Sequence, residues 1–365
     1  MRSAVFLCLS LLLLMACQSD SSKMEQAINI SDNQNLIANV KLILNPCGIA
    51  PLTALFKLED NKTVTVQLEV GGAIPVTYST TEPKRKWEIP VLGLYPDTLN
   101  TLTLVLTSEN GSSFSLTEEV TTPPLPDFFP SVKTEWALPE QMEPGFNLCE
   151  LSFANHGNFI SYPMMTDHRG AIRWYLYLSD KEGIAFAFQR IKNGNYLFIR
   201  QDEIVQINPL GQITWQATFP KHNFHHDIIV LPNGHFVAIC DIEGTEIQKG
   251  GKTIPSIDDQ IVEIDPMSKT IVNRWDMRDI LDVDRIEVLD GKGDWIHLNS
   301  MAYDASDRSL IISGRNQAIL KVNLKNELQW IMAPHKNWGQ AGMDGQGLAT
   351  PVIKNCSSSP FPSRT

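Results

Sequence analysis

Basic charge is scarce in this chain. Lys and Arg number 30 against 41 Asp and Glu, a formal net charge of −11 over 365 residues. General nucleic-acid binders neutralise phosphates with a cationic surface, so no nucleic-acid partner is expected. A local basic pocket for a small anion is still compatible with that balance. Cysteine is scarce too, six in all, with no CxxC and no short-range cluster of Cys, His and carboxylates. This excludes a disulfide-dense miniprotein and offers no zinc knuckle, and no metal is expected. P-loops and G-x-S-x-G elbows are lacking, and no cofactor is expected. Between Val40 and Val120 no helical period survives over twelve residues.

What is present suffices for a packed core. Hydrophobic residues make up 43% and charged residues 19%, which excludes global disorder. At roughly 100–200 residues per domain, the length suggests two or three domains. Arg2 precedes an apolar run, Val5 to Met15, too short to span a bilayer as a mature helix. The run ends Leu14-Met15-Ala16-Cys17, the pattern of a bacterial lipoprotein signal. Residues 1–16 are therefore read as a signal peptide and Cys17 as the lipidation site. Acyl chains on its thiol and amine would anchor the chain stably, since two or more chains are needed for that. Residues 17–35 form a polar tether. Gln18, rather than Asp, follows Cys17 and points to the outer membrane, on the periplasmic side. Cys47, Cys149, Cys240 and Cys356 remain, and the sequence does not pair them.

The pattern is all-β. Residues 36–125 read as short strands with turn signals, for example Thr63–Val70 and Leu102–Leu106, with turns at Asn61-Lys62 and Asn110-Gly111. A stretch of this kind suggests a β-sandwich. Pro123, Pro124 and Pro126 then make a stiff junction. Residues 126–365 carry a weak repeat ending in tryptophan: Trp174, Trp215, Trp275 and Trp330. Asn193-Gly194 and Asn233-Gly234 open further strands. Repeats of roughly 40–60 residues with four short strands are the signature of propeller blades. The tryptophans are read as packing residues between blades.

Inner strand ends of a propeller converge on a central channel, so residues far apart in sequence can meet there. His225 and His226 precede Asp227 and the run Ile228–Leu231. His297 lies in Asp294-Trp295-Ile296-His297-Leu298-Asn299, and Arg315 follows the run Leu310–Ser313. An arginine fork suits the oxygens of a tetrahedral oxyanion, and histidine exchanges protons near neutral pH. Such a pocket suits sulfuryl or phosphoryl transfer. Set beside this are structural readings: Asp227 and Asp294 as caps of backbone amides, Arg315 as an interblade salt bridge.

Longer strings carry a resemblance. Asn45-Pro46-Cys47-Gly48-Ile49-Ala50-Pro51 and Gly93-Leu94-Tyr95-Pro96-Asp97 resemble the N-terminal β-sandwich of bacterial arylsulfate sulfotransferases. HHDIIVLPNG from His225 and DWIHLNSMAYDASDRSLIISGRNQAILKV from Asp294 resemble the propeller of the same family. The resemblance implies a six-bladed propeller in a periplasmic or membrane-attached enzyme. It further implies ping-pong transfer of a sulfuryl group, through a sulfohistidine, from an aryl sulfate donor to a phenolic acceptor. His297 and Arg315 match the family's channel histidine and arginine, and Asn299 matches a channel-facing asparagine. One of His225 and His226 matches a further active-site histidine, with His226 favoured. The family's nucleophilic histidine lies in a later blade, farther on than the fifty residues that follow Arg315 here. The expectation is therefore an aryl-sulfate sulfotransferase whose propeller lacks its last blade or blades and, with them, the nucleophilic histidine, which leaves its activity to be tested. An open propeller exposes a sheet edge, which favours association into a homodimer. The alternative is a non-catalytic propeller lipoprotein that binds a partner or an aromatic anion.

Overall fold

The computed structural model describes residues 24–29, 38–155, 158–178, 185–242, 244–257, 259–281, 283 and 293–332. The signal peptide, Cys17, Cys356 and any blade after residue 332 lie outside the described residues. The chain divides into two compact units. The first comprises 1–147, 164–177 and 209–212; the second comprises 148–163, 178–208 and 213–365. Among the described residues no helix is long and apolar enough to cross a membrane.

Among the described residues, seven strands come first: β1 (Met24–Asn29), β2 (Ala38–Leu44), β3 (Ala54–Val70), β4 (Val76–Ser79), β5 (Lys84–Val91), β6 (Leu99–Ser108) and β7 (Ser113–Thr121). The long strand β3 serves two sets of partners. Its first half pairs with β2 and β5, and its second half, from Val64, pairs with β6 and β4. The changeover falls at Asp60–Thr63, so Asn61-Lys62 is not the turn that its residue types suggest. The strand runs straight through, and Asp60 Oδ1 accepts the Lys62 N–H at 2.9 Å. Both halves keep one alternation, with Phe56, Leu58, Val64, Val66 and Leu68 inward. Asn110-Gly111 does turn, linking β6 to β7, with Gly111 in the left-handed region at φ 83°.

The first unit also holds a fully buried arginine. Arg173 donates Nη1–H to Asp167 Oδ2 at 3.0 Å, Nε–H to Gly93 O at 2.9 Å and Nη2–H to Ile74 O at 3.1 Å. Its guanidinium lies 3.6 Å from the Tyr95 ring centroid. Such a buried ion is tolerable because its donors are satisfied.

Next come β8 (Asn147–Asn155), β9 (Asn158–Thr166) and β10 (Ile172–Tyr175), a three-stranded sheet. Three antiparallel meanders of four strands follow. The first is β11 (Phe186–Arg190), β12 (Tyr196–Arg200), β13 (Glu203–Ile207) and β14 (Ile213–Thr218). The second begins with β15 (His222–Val230) and β16 (Phe236–Ile242). A side hairpin of β17 (Glu246–Lys249) and β18 (Lys252–Pro255) precedes its last strands, β19 (Asp259–Asp265) and β20 (Thr270–Asp276). The third is β21 (Leu298–Asp304), β22 (Ser309–Gly314), β23 (Ala318–Asn323) and β24 (Leu328–Met332). These are blade-like sheets, and their first strands β11, β15 and β21 lie side by side in the second unit.

Trp215, Trp275 and Trp330 occupy the fourth strands of the meanders, and Trp174 the last strand of the three-stranded sheet. Trp215 Nε1–H donates to Pro266 O and Trp275 Nε1–H to Asn323 O, each at 2.9 Å. Both acceptors sit in the next meander, at the turn between its third and fourth strands. The indole thus fills apolar space and also fixes blade spacing through its single donor. Asn193-Gly194 and Asn233-Gly234 form the turns between first and second strands of successive meanders. Gly194 and Gly234 take φ near 88°, a conformation that glycine adopts without steric cost.

Candidate active site

β15 does not begin at Ile228, where the apolar run starts, but at His222. It contains a wide bulge: Phe224 pairs with Cys240 and Ile228 with Ala238, so three residues, His225, His226 and Asp227, stand opposite Ile239. The buried Phe224 and Ile228 pin the two ends of the bulge in one apolar cluster. The three polar residues between them project in different directions, which regular alternation would not permit. β21 is bulged as well. Leu298 pairs with Gly314 and Ser300 with Ser313, leaving Asn299 extra. Just before it, Trp295, Ile296 and Leu298 are fully buried and anchor His297 between them.

These two bulges bring two sequence-predicted histidines together. His226 Nε2 lies 3.1 Å from His297 Nε2, so one imidazole donates to the other. His297 Nδ1 lies 2.6 Å from Asp294 Oδ2, and Arg315 Nη2–H donates to the same oxygen at 3.1 Å. Arg315 is placed by its backbone: its N–H donates to His297 O at 2.9 Å, and the next N–H, of Asn316, to Ile296 O at 3.1 Å. Its side chain is 43% exposed, leaving most of the guanidinium fork available. His226, His297, Asp294 and Arg315 therefore form one connected group. Asn299 sits at the β21 bulge, its Oδ1 buried and without a hydrogen-bond partner among the described residues. Asp294 Oδ1 and Asn316 Oδ1 are in the same condition.

His225 points elsewhere. Its Nε2 lies 3.1 Å from Asp241 Oδ1 and 3.3 Å from Asp259 Oδ1. Burial disfavours its charge, yet the two carboxylates outweigh burial and lift it to about 9. His226 is driven the other way, down to about 4. Burial is the main cause, followed by the positive charges of His225, His297 and Arg315. Adjacent histidines thus carry opposite states at neutral pH, one imidazolium and one neutral imidazole. Burial holds the Asp259 carboxyl up, while hydrogen bonds from His225 and Asn223 bring Asp241 down in spite of its own burial.

Sequence reading missed Asp241 and Asp259, which carry no local motif. It assigned Asp294 a capping role, whereas its carboxylate serves His297 and Arg315. Only the placement of Asp294 three residues before His297, and the length of the matching string, could have flagged it. Asp227 does accept backbone amides, but across strands: Met301 N–H donates to its Oδ2 at 2.8 Å. Arg315 bonds within its own meander rather than between blades. His225, Asp241 and Asp259 are the one set among the described residues with the composition of a cation site. The distances above are equally those of an imidazolium between two carboxylates, and that reading needs no ion.

The family model for the arylsulfotransferase (ASST) matches residues 136–355, and that for the arylsulfotransferase Ig-like domain matches residues 41–123. Two curated relatives are named arylsulfate sulfotransferase AssT. The protein of Lelliottia amnigena is 23% identical over 408 residues, covering 87% of this chain and 66% of its own. That of Escherichia coli O6:H1 is 23% identical over 387 residues, covering 81% and 64%. The chain thus spans just under two thirds of the length of these relatives. A solved structure of a protein of unknown function from Bacteroides caccae is 15% identical, with a TM-score of 0.33, covering 76% of this chain and 97% of that one. A likeness that weak carries no argument. The match of the first family model over more than half of the sequence does: the chain belongs to the arylsulfotransferase family.

Proposed function

We propose that this chain handles phenolic sulfate esters, as an arylsulfate sulfotransferase that passes the sulfuryl group to a second phenol. The observation that carries the reading is the His226–His297 pair with Asp294 and Arg315 on its far side. Arg315 presents a planar fork to the sulfate oxygens and stabilises charge developing on them. Asn299 leaves its Oδ1, an acceptor open to a phenol hydroxyl, unpaired at the β21 bulge. In the first half-reaction the bond from sulfur to the donor phenol's oxygen breaks while a bond from sulfur to a histidine nitrogen forms. The departing phenolate takes the proton shared by the imidazole pair, and Asp294 balances charge on His297 through Nδ1. In the second half the acceptor phenol gives its proton back to the pair as its oxygen takes the sulfuryl group. His226, lowered to about 4 first by burial, is neutral at pH 7 and serves the pair as a hydrogen-bond partner of His297. The residues named here bind and move protons; family resemblance assigns the nucleophile to a histidine of a later blade.

The test uses 4-nitrophenyl sulfate and phenol with the purified chain. Expected is binding of the aryl sulfate and phenol-dependent release of 4-nitrophenolate, lost in His297→Ala and Arg315→Ala. Release in water without phenol would favour an ester hydrolase instead. Binding with no release in either condition would leave the chain a binding module for aromatic anions.

Export and anchoring through acylated Cys17 to the periplasmic side of the outer membrane belong to the same proposal. The apolar run before Ala16-Cys17, with Gln18 after it, supports them. Cys17→Ser is expected to release the chain from membranes in a fractionation experiment.

A further inference from the structure

His226 and His297 both sit in the left-handed backbone region, at φ 59° and 50°. For a residue with a Cβ this conformation is strained, and it persists only where the surroundings over-determine it. The apolar anchors fix the ends of each bulge, and Ile229 of β15 packs against the cluster that holds Leu298 and Met301 of β21. Two carboxylates, the buried Asp259 and the half-buried Asp227, also connect those strands. Asp259 reaches from β19 to both: its Oδ1 meets His225 Nε2 at 3.3 Å, and its Oδ2 accepts the N–H of Leu298, the residue after His297. Its side chain is 1% exposed. Asp227 reaches from β15 itself and accepts the Met301 N–H at 2.8 Å. The two contacts on β21, at Leu298 and Met301, flank the bulged Asn299-Ser300 step. Asp241 supports the first contact from β16. Its Oδ1 meets His225 at 3.1 Å, and its Oδ2 accepts Asn223 Nδ2–H at 3.2 Å.

We infer that Asp259 and Asp227 are positioning residues: they clip β15 to β21 on both sides of the bulge and so hold the His226–His297 pair at hydrogen-bonding distance. Neither touches the imidazole pair. Each acts through another group, Asp259 through His225 and the Leu298 amide, Asp227 through the Met301 amide. The arrangement also explains the order His225-His226-Asp227. Within three residues, the first is tied to β16 and β19, the second to His297, and the third to the backbone of β21. The inference rests on the proposed site but not on its substrate. A failed transfer assay leaves it standing, and its own failure leaves the transfer reading standing.

Its test needs no substrate. In chain labelled with nitrogen-15 at histidine, the shared proton gives a scalar coupling between His226 Nε2 and His297 Nε2. That coupling is expected in the wild type. It should vanish in Asp259→Ala and in Asp227→Ala while circular dichroism and cooperative unfolding persist. Wild-type coupling in both alanine variants would overturn the inference. Should either alanine variant fail to fold, Asp259→Asn decides. Its amide can still accept from Leu298, but it removes one of the two carboxylates that support the charge on His225. The groups facing His226 are then His225 of its own strand, Asp241 of β16, His297 and Arg315. With the charge on His225 less well supported, the His226 titration is expected to move up. An unmoved His226 titration in Asp259→Asn would contradict the clip's His225 arm and overturn the inference.

Discussion

Arg173 in the first unit and His225 in the second are both cations held by carboxylates out of water, yet their surroundings differ. Arg173 is 0% exposed, and every nitrogen of its guanidinium donates: to Asp167, to two backbone carbonyls and against an aromatic face. Nothing polar is left over. The region around His225 is the reverse. Its neighbour His226 is depressed and strained, and Asp294, Asn299 and Asn316 each keep a buried oxygen with no partner among the described residues. Satisfied buried charge fixes a fold, because removing either partner leaves an uncompensated ion. Unsatisfied buried oxygens cost stability and call for a donor such as water or a phenol hydroxyl, while the half-exposed Arg315 fork is the group that suits an anion.

The contrast can be broken in order of expected effect. His297→Ala is expected to lower transfer or aryl sulfate turnover by about 10²–10⁴-fold, the range for a positioned acid–base group, measured as kcat/KM. Its urea midpoint should barely move. Arg173→Met should do the opposite. Stranding Asp167 is expected to cost about 3–5 kcal/mol in equilibrium unfolding, with aryl sulfate affinity of the folded protein unchanged. If both variants lost activity and stability together, the division of labour would be wrong.

A third effect depends on pH. His225 is raised to about 9, burial being outweighed by Asp241 and Asp259. A raised histidine stabilises the fold fully below its unfolded value near 6.5 and loses that contribution as pH climbs through about 9. His226 is lowered to about 4, first by burial, so it penalises the fold as pH falls from about 6.5 towards 4. Urea unfolding should therefore report falling stability on both sides of about pH 6.5. The alkaline arm amounts to about 3 kcal/mol at most, and Asp241→Asn should flatten it. The smallest effect concerns blade spacing. Trp215→Phe removes the Nε1–H donation to Pro266 O and is expected to cost about 1 kcal/mol in thermal unfolding. No change would mean the indole only fills space.

The repeat was legible because its signals are local. Tryptophan at the fourth strand and Asn-Gly at the first turn each need only a few neighbouring residues to act. Asn61-Lys62 misled for the same reason. Two polar residues of turn type lie in the middle of β3, where the strand changes partners without reversing, and only pairing with distant strands distinguishes the two cases. At the site, His226, His297 and Arg315 were found from the order of residues around them. Asp241 and Asp259 were not, since they serve His225 from positions 16 and 34 residues later and sit in ordinary strand patterns. The bulge in β15 was also hidden. His-Asn-Phe-His-His-Asp breaks the alternation expected of a strand, and the reading therefore started the strand at Ile228.

The central claim is that Arg315, beside the imidazole pair of the second unit, receives a sulfate ester, while Arg173 in the first unit, its donors already satisfied, receives nothing. Calorimetric titration with 4-nitrophenyl sulfate tests it most directly, on the wild type, Arg315→Ala and Arg173→Met at neutral pH. The account expects saturable binding by the wild type, at least tenfold weaker binding by Arg315→Ala and wild-type affinity in folded Arg173→Met. Equal affinity in the wild type and Arg315→Ala, or no binding by the wild type, would contradict it.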